Sequence, residues 1–210
     1  MNIRQALIVL ASLLGGCTSL PDAPIDRPVN WETHKKSISD IKHWYLSGRL
    51  AIKNGNESWN VKLYWHQSNA KYHILLSGPF GAGSVRLKGD PHSVTMTDSD
   101  NKSHLAWDAS TLLYQQTGIR IPVKELRYWV LGLPSPNMTS QPEFDAYGRI
   151  KIMRQEGWSI NMKRYTQLNG EQLPQKIFML GHDLDVRLVI DEWKLGTLPK
   201  DNPLAEDSPV

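Results

Sequence analysis

The sequence predicts a mainly β fold with helices: a curled sheet or incomplete antiparallel barrel of about nine to eleven strands, with a helical lid or plug. Three observations lead there. Apolar and polar residues alternate with a period of two in short runs between Leu46 and Trp193, and turn residues separate the runs. Between Asp108 and Pro134 the pattern becomes helical, with Pro122 placed to open a helix and Gly132 to end one. The chain has 210 residues, 40% apolar and 21% charged, which suits one buried core and not two. A sheet of this size hides its faces by curling, and a barrel of more than about eight strands leaves an interior that side chains cannot fill. Helices or a ligand must occupy it.

The elements follow in order. Residues 1–16 carry Arg4 and then the apolar run Ala6 to Leu14. Nine helical residues rise only about 13 Å against the roughly 30 Å of a bilayer core, so this segment is expected to be a signal peptide, removed on export. Residues 17–29, with Pro21, Pro24 and Pro28, read as a flexible tether reaching about 35 Å at full stretch. Asn30 is expected to cap a helix that places Trp31, Ile38, Ile41 and Tyr45 on one face. The strands are expected at 46–52, 59–65, 72–76, 85–87 and 94–97, then at 149–154, 158–164, 176–180 and 186–193. Between the two sets, Asp108 caps a helix running to Gly118, and Pro122 opens another through Leu131. Residues 30–196 form a single domain, and 197–210 are expected to be a disordered tail.

Several chemistries are poorly supported. The net charge is +3, with 24 basic residues scattered among 21 acidic ones, so no tract tracks a phosphate backbone and no nucleic-acid partner is expected. A single cysteine, Cys17, excludes an internal disulfide framework and a multi-thiolate metal site. The seven histidines are dispersed, so no metal is expected. Gly81-Ala82-Gly83-Ser84 lacks the lysine and the strand-to-helix context of a phosphate loop, and no nucleophile stands beside a base. No cofactor, no catalytic residue and no enzymatic activity are expected; a carboxylate pair assembled in space, such as Asp98 with Asp185, stays open.

The loop Ser77-Gly78-Pro79-Phe80-Gly81-Ala82-Gly83 joins two strands and carries a large aromatic between glycines and a proline. Phe80 either folds back into the core or stands exposed. By strand alternation Leu50, Ile52, Val61, Leu63, Trp65, Tyr72, Ile74 and Leu76 face inward, as ordinary core or as cavity wall. On the helix after Pro122, Leu126, Trp129 and Val130 form a stripe that reads equally as core or as the underside of a lid. Arg49, Lys62, Arg86, Arg127 and Lys163 are either solvated faces or a basic rim.

Leu14-Gly15-Gly16-Cys17 resembles the lipobox of bacterial lipoproteins, which implies cleavage before Cys17, acylation there, and an exported, lipid-anchored protein. Thr18 follows, not the Asp of an inner-membrane retention signal, so the resemblance points to the outer membrane. With Gly48-Arg49-Leu50-Ala51-Ile52, Trp65-His66-Gln67, Gly78-Pro79-Phe80-Gly81, Ile121-Pro122-Val123, Leu126 to Pro134 and Gly157-Trp158, the chain from about Trp31 to Trp193 resembles the LolB family. The resemblance implies a half-open barrel with a helical lid and an apolar cavity. It implies acceptance of acylated lipoproteins from a LolA-like periplasmic carrier and their delivery, by a monomer, to the inner leaflet of the outer membrane. Pro79, Phe80 and Gly81 would form the membrane-insertion loop, and Phe80 stands where the family usually has Leu. The rival expectation is a lipid-anchored binding module for another lipid or small apolar ligand.

Overall fold

The structure, a computed structural model, describes residues 28–79, 83–196 and 204. Among them, α1 (Trp31–Ser39) leads into six strands: β1 (His43–Asn54), β2 (Glu57–Ser68), β3 (Lys71–Ser77), β4 (Ser84–Gly89), β5 (Val94–Thr97) and β6 (Ser103–Ala106). Two helices follow, α2 (Ala109–Thr117) and α3 (Val123–Trp129). The chain then returns through β7 (Gln141–Phe144), β8 (Ile150–Gln155), β9 (Trp158–Leu168), β10 (Glu171–Gly181) and β11 (Leu184–Leu195).

All eleven strands form one sheet in the order β6-β5-β4-β3-β2-β1-β11-β10-β9-β8-β7, and each neighbouring pair is antiparallel. Two meanders are therefore joined at a central seam where β1 pairs with β11, for example Leu50 with Leu188 and Ile52 with Val186. The seam is bent by a bulge at Ser47/Gly48. A Cβ on Gly48 would sit 2.2 Å from the Val189 carbonyl oxygen, so only glycine allows this approach. The open edges are β6 and β7, and the segment connecting them carries α2 and α3 across the concave face.

The sequence-based expectations need several corrections. α1 stops at Ser39, not at Tyr45, because β2 extends to Ser68 and pairs it with His43, so cross-strand hydrogen bonds claim the backbone from His43 onward. Tyr45 points to the outside of β1. α3 ends at Trp129, two residues early, in a turn where the Gly132 N–H donates to the Trp129 carbonyl. α2 matches, with Asp108 accepting from the Thr111 N–H (2.9 Å) and Gly118 left-handed at φ 71°. The four-residue edge strands β6 and β7 were absent from the expected set. Val29 belongs to the domain and not to the tether, since its N–H donates to the Tyr147 carbonyl (2.8 Å). The expected signal peptide, Cys17 and most of the tether lie outside the described residues, as does the tail except Leu204. That one residue is buried, 1% exposed against Tyr45 and Leu75, where a disordered tail was expected.

The two ends of the sheet differ. At the end nearest α1, Trp44 meets Trp65 (5.2 Å between ring centroids) and Trp193 (5.6 Å) in an aromatic cluster. The indole N–H of Trp193 donates to the Pro174 carbonyl, and that of Trp65 to Gln67. Beside this cluster a groove of ≈ 520 Å³ runs between α1 and the residues after α3, lined by Ile38, Trp44, Gln67 and Leu131. Buried Arg149 is bound by Asp145 (2.7 Å) and Gln172 (3.0 Å) and lies over the rings of Tyr147 and Tyr165. The hydroxyl of Ser37 on α1 donates to Glu171 at the start of β10.

Candidate functional site

At the other end the same inward positions no longer meet a partner across the sheet. Leu46 and Leu63 are buried, but Leu50 and Ile52 on β1, Val61 on β2, Leu76 on β3 and Val85 on β4 point inward and remain half-buried. An inward apolar side chain that is still accessible faces space and not packed atoms. The space is a cavity of ≈ 530 Å³, within the roughly 300–1,000 Å³ of small-molecule sites. Its floor is β1–β4 with Met179, Val186 and Leu188 of β10 and β11; its roof is Leu113 of α2 with Val123 and Leu126 of α3. Polar groups appear at Ser84, Asp98, Ser99, Gln116 and Thr117.

Of the sequence-predicted residues, Leu50, Ile52, Val61, Leu63, Trp65, Ile74, Leu76, Leu126 and Val130 line this cavity. Tyr72 and Trp129 do not. Trp129 is fully buried in the core on the far side of α3, its indole N–H donating to Gln155 (2.8 Å). Gln155 also accepts from the Ser135 N–H and donates to the Ser135 and Met138 carbonyls, so it pins the α3–β7 connection to the end of β8. Tyr72 faces inward nearer the α1 end, its ring pressed on the glycine surface of Gly89, in a separate groove with Val94 and Trp107. Burial pushes its phenol up to about 12, with Asp108 and Asp90 adding to the effect. Alternation gave the right face; depth along the strand decided which inward residues meet space.

The β3–β4 loop springs from the cavity lining. Gly78 and Gly83 both contribute to the wall, and the Gly78 N–H donates to the Gly83 carbonyl (3.0 Å), closing the loop at its base. Pro79 is exposed. Phe80 and Gly81 lie outside the described residues. The turns at 54–57, 98–102 and 181–184 share this end of the sheet, whereas α1 and Val29 sit at the opposite end.

The expected basic residues do not form a rim, and none of them lines the cavity. Arg49 lies on the outer face of β1, bound to Asp191 (2.9 Å), with Lys62 opposite it on β2 and Arg86 on the outer face of β4. Arg127 folds over the ring of Tyr128 (4.6 Å), and Lys163 lies 5.9 Å from the ring of Phe178. Asp98 and Asp185 are held separately: Asp98 accepts N–H bonds from Asp100 and Lys102, and Asp185 accepts from Arg187 (2.9 Å). Among the described residues no group of three or more His, Cys, Asp or Glu could hold a metal ion, and no helix is long and apolar enough to cross a membrane.

The family model described as outer membrane lipoprotein LolB matches residues 42–193, all of the sheet but the last two residues of β11, with both inner helices. The chain belongs to the LolB family. Among its LolB relatives, the outer-membrane lipoprotein LolB of Ectopseudomonas mendocina is 34% identical over 197 residues, covering 91% of this chain and 97% of the relative. That of Pseudomonas aeruginosa strain PAO1 is 36% identical over 199 residues, covering 92% and 97%. Among solved structures, a LolA superfamily protein from Nitrosomonas europaea superposes with a TM-score of 0.54 at 10% identity, covering 82% of this chain and 96% of that one. This LolB-family chain thus shares its fold with that protein, an open antiparallel sheet curled around helices.

Proposed function

We propose that this LolB-family chain is an outer-membrane lipoprotein, anchored through acylated Cys17 and facing the periplasm. As a monomer, it accepts lipoproteins from a LolA-like carrier and inserts them into the inner leaflet of the outer membrane. The observation that carries the reading is the apolar cavity at the loop end of the sheet, with the base of the β3–β4 loop built into its wall. Each acyl methylene shielded from water is worth about 0.8 kcal/mol, so a lipoprotein with two or three chains needs shelter worth tens of kcal/mol between membranes. A dry pocket provides shelter without any bond being made or broken, and the reading is therefore non-enzymatic. Transfer runs downhill when the cavity holds the chains more tightly than the carrier and less tightly than the bilayer.

Pro79, Phe80 and Gly81 are the membrane-touching tip in this reading. One Phe buried in lipid contributes about 1.5–3 kcal/mol, enough for reversible contact beside the cavity and too little to anchor the domain. Phe80→Glu should leave folding and uptake from the carrier intact and reduce delivery to liposomes at least tenfold. Delivery at the parent rate would remove the role assigned to Phe80. Native mass spectrometry of the purified chain tests the cavity itself: copurifying acylated peptides support the receptor, and a consistent unrelated apolar molecule would favour a binding module for another ligand.

A further inference from the structure

The convex side of the sheet, away from the cavity, has a covered patch of its own. Tyr45 and Leu75 point outward, yet they are only 3% and 7% exposed. Leu204 covers them, with Tyr64 beside it. Leu204 lies eight residues beyond Gly196, whose N–H donates to the His43 carbonyl (2.9 Å) at the end of β11. Eight residues span up to about 28 Å, and crossing from β11 over β1 to β3 needs roughly 15 Å.

The register sets the surroundings of this patch. Ser47, Tyr64, Leu75 and Arg86 form one cross-strand row; Tyr45, His66, His73 and Lys88 form the next. The outward positions of β2–β4 carry Lys62, Lys71, Arg86 and Lys88 and no carboxylate. On β11 the neighbouring acids are engaged, Asp191 by Arg49 and Glu192 by Lys194 (3.1 Å). The sequence after Gly196 has the opposite sign, with Asp201, Glu206 and Asp207 against Lys200.

We propose that the outer face of β1–β4 is a binding surface for an acidic segment bearing a leucine, and that its occupant is the chain's own residues 197–210. Leu204 is the apolar anchor over Tyr45, Tyr64 and Leu75, and the three carboxylates are the charge complement of the lysines and arginines around it. An acidic segment seated through one leucine matches both features of this face, two outward hydrophobic residues and the basic side chains set around them.

The test uses the mature lipidated chain in neutral detergent, digested with a carboxypeptidase, with loss of the tail followed by mass spectrometry. The parent tail should be trimmed slowly at low salt, Leu204→Met close to the parent, and Leu204→Asp at least about tenfold faster at an unchanged melting temperature. The pair Lys62→Glu with Lys88→Glu, and separately 1 M salt, should each speed trimming about threefold by removing the charge attraction. A labelled synthetic peptide of residues 197–210 should bind the Leu204→Asp chain, whose face is vacated, at least tenfold more tightly than the parent. Equal trimming of parent and Leu204→Asp, or equal peptide binding by both, would overturn the assignment of this occupant. Insensitivity to salt and charge reversal would overturn its acidic character.

Discussion

At the scale of single residues, position along a strand decides what an inward side chain does. Leu50 and Leu46 point the same way along β1, but Leu46 is enclosed while Leu50 looks into space. Trp129 sits on α3 beside two cavity residues and turns its indole to Gln155 instead. The stripe Leu126, Trp129, Val130 was legible as apolar, but spacing cannot tell which flank of a seven-residue helix meets a void. Tyr72 supplies a test of residue burial. An acid whose folded pKa lies above its unfolded one stabilises the fold fully below the unfolded value, and the contribution is lost as pH rises through the folded value. For Tyr72 that window runs from about 10 to about 12, and burial raises the phenols of Tyr45 and Tyr165 in the same sense. The urea midpoint should therefore fall as pH rises from about 10 to about 12, and Tyr72→Phe should make that fall shallower.

At the scale of elements, the long strands of the central sheet were readable because period-two alternation runs through them and their turns carry Asn and Gly. Those strands extend beyond the alternating cores because pairing with a neighbour, which sequence does not display, recruits flanking polar residues such as His43 and Ser68. β6 and β7 escaped notice for the opposite reason. Each has four residues, pairs on one side only, and carries the polar or proline positions that an edge tolerates, such as His104 and Pro142. Leu204 gave no signal at all: a leucine among prolines and acids has no periodicity, and its burial depends on residues more than a hundred positions earlier. The bulge at Gly48 makes a demand that backbone, not a movable side chain, enforces. Gly48→Ala puts a methyl 2.2 Å from the Val189 carbonyl oxygen, and the resulting shift in the β1–β11 ladder should cost about 2–4 kcal/mol, read as a lowered thermal midpoint with unfolding still cooperative.

At the scale of the whole molecule, an aromatic end and an aliphatic end share one sheet. Tryptophans pack together at the first, and aliphatic walls line the apolar cavity of the second beside the β3–β4 loop. Filling that cavity separates stability from transport. Val61→Phe with Leu126→Phe should keep the urea midpoint or raise it by about 0.5–2 kcal/mol equivalent, while acceptance of lipoprotein from a carrier drops at least tenfold. Unaltered acceptance would place the acyl chains elsewhere.

The central seam also dictates when this molecule can exist. Leu50 and its partner Leu188 are 138 positions apart, so the two half-sheets stay unjoined until almost the entire polypeptide has emerged on the far side of the inner membrane. A product arrested before β11 would carry raw backbone borders on both halves, an invitation to coalesce with other unfinished chains.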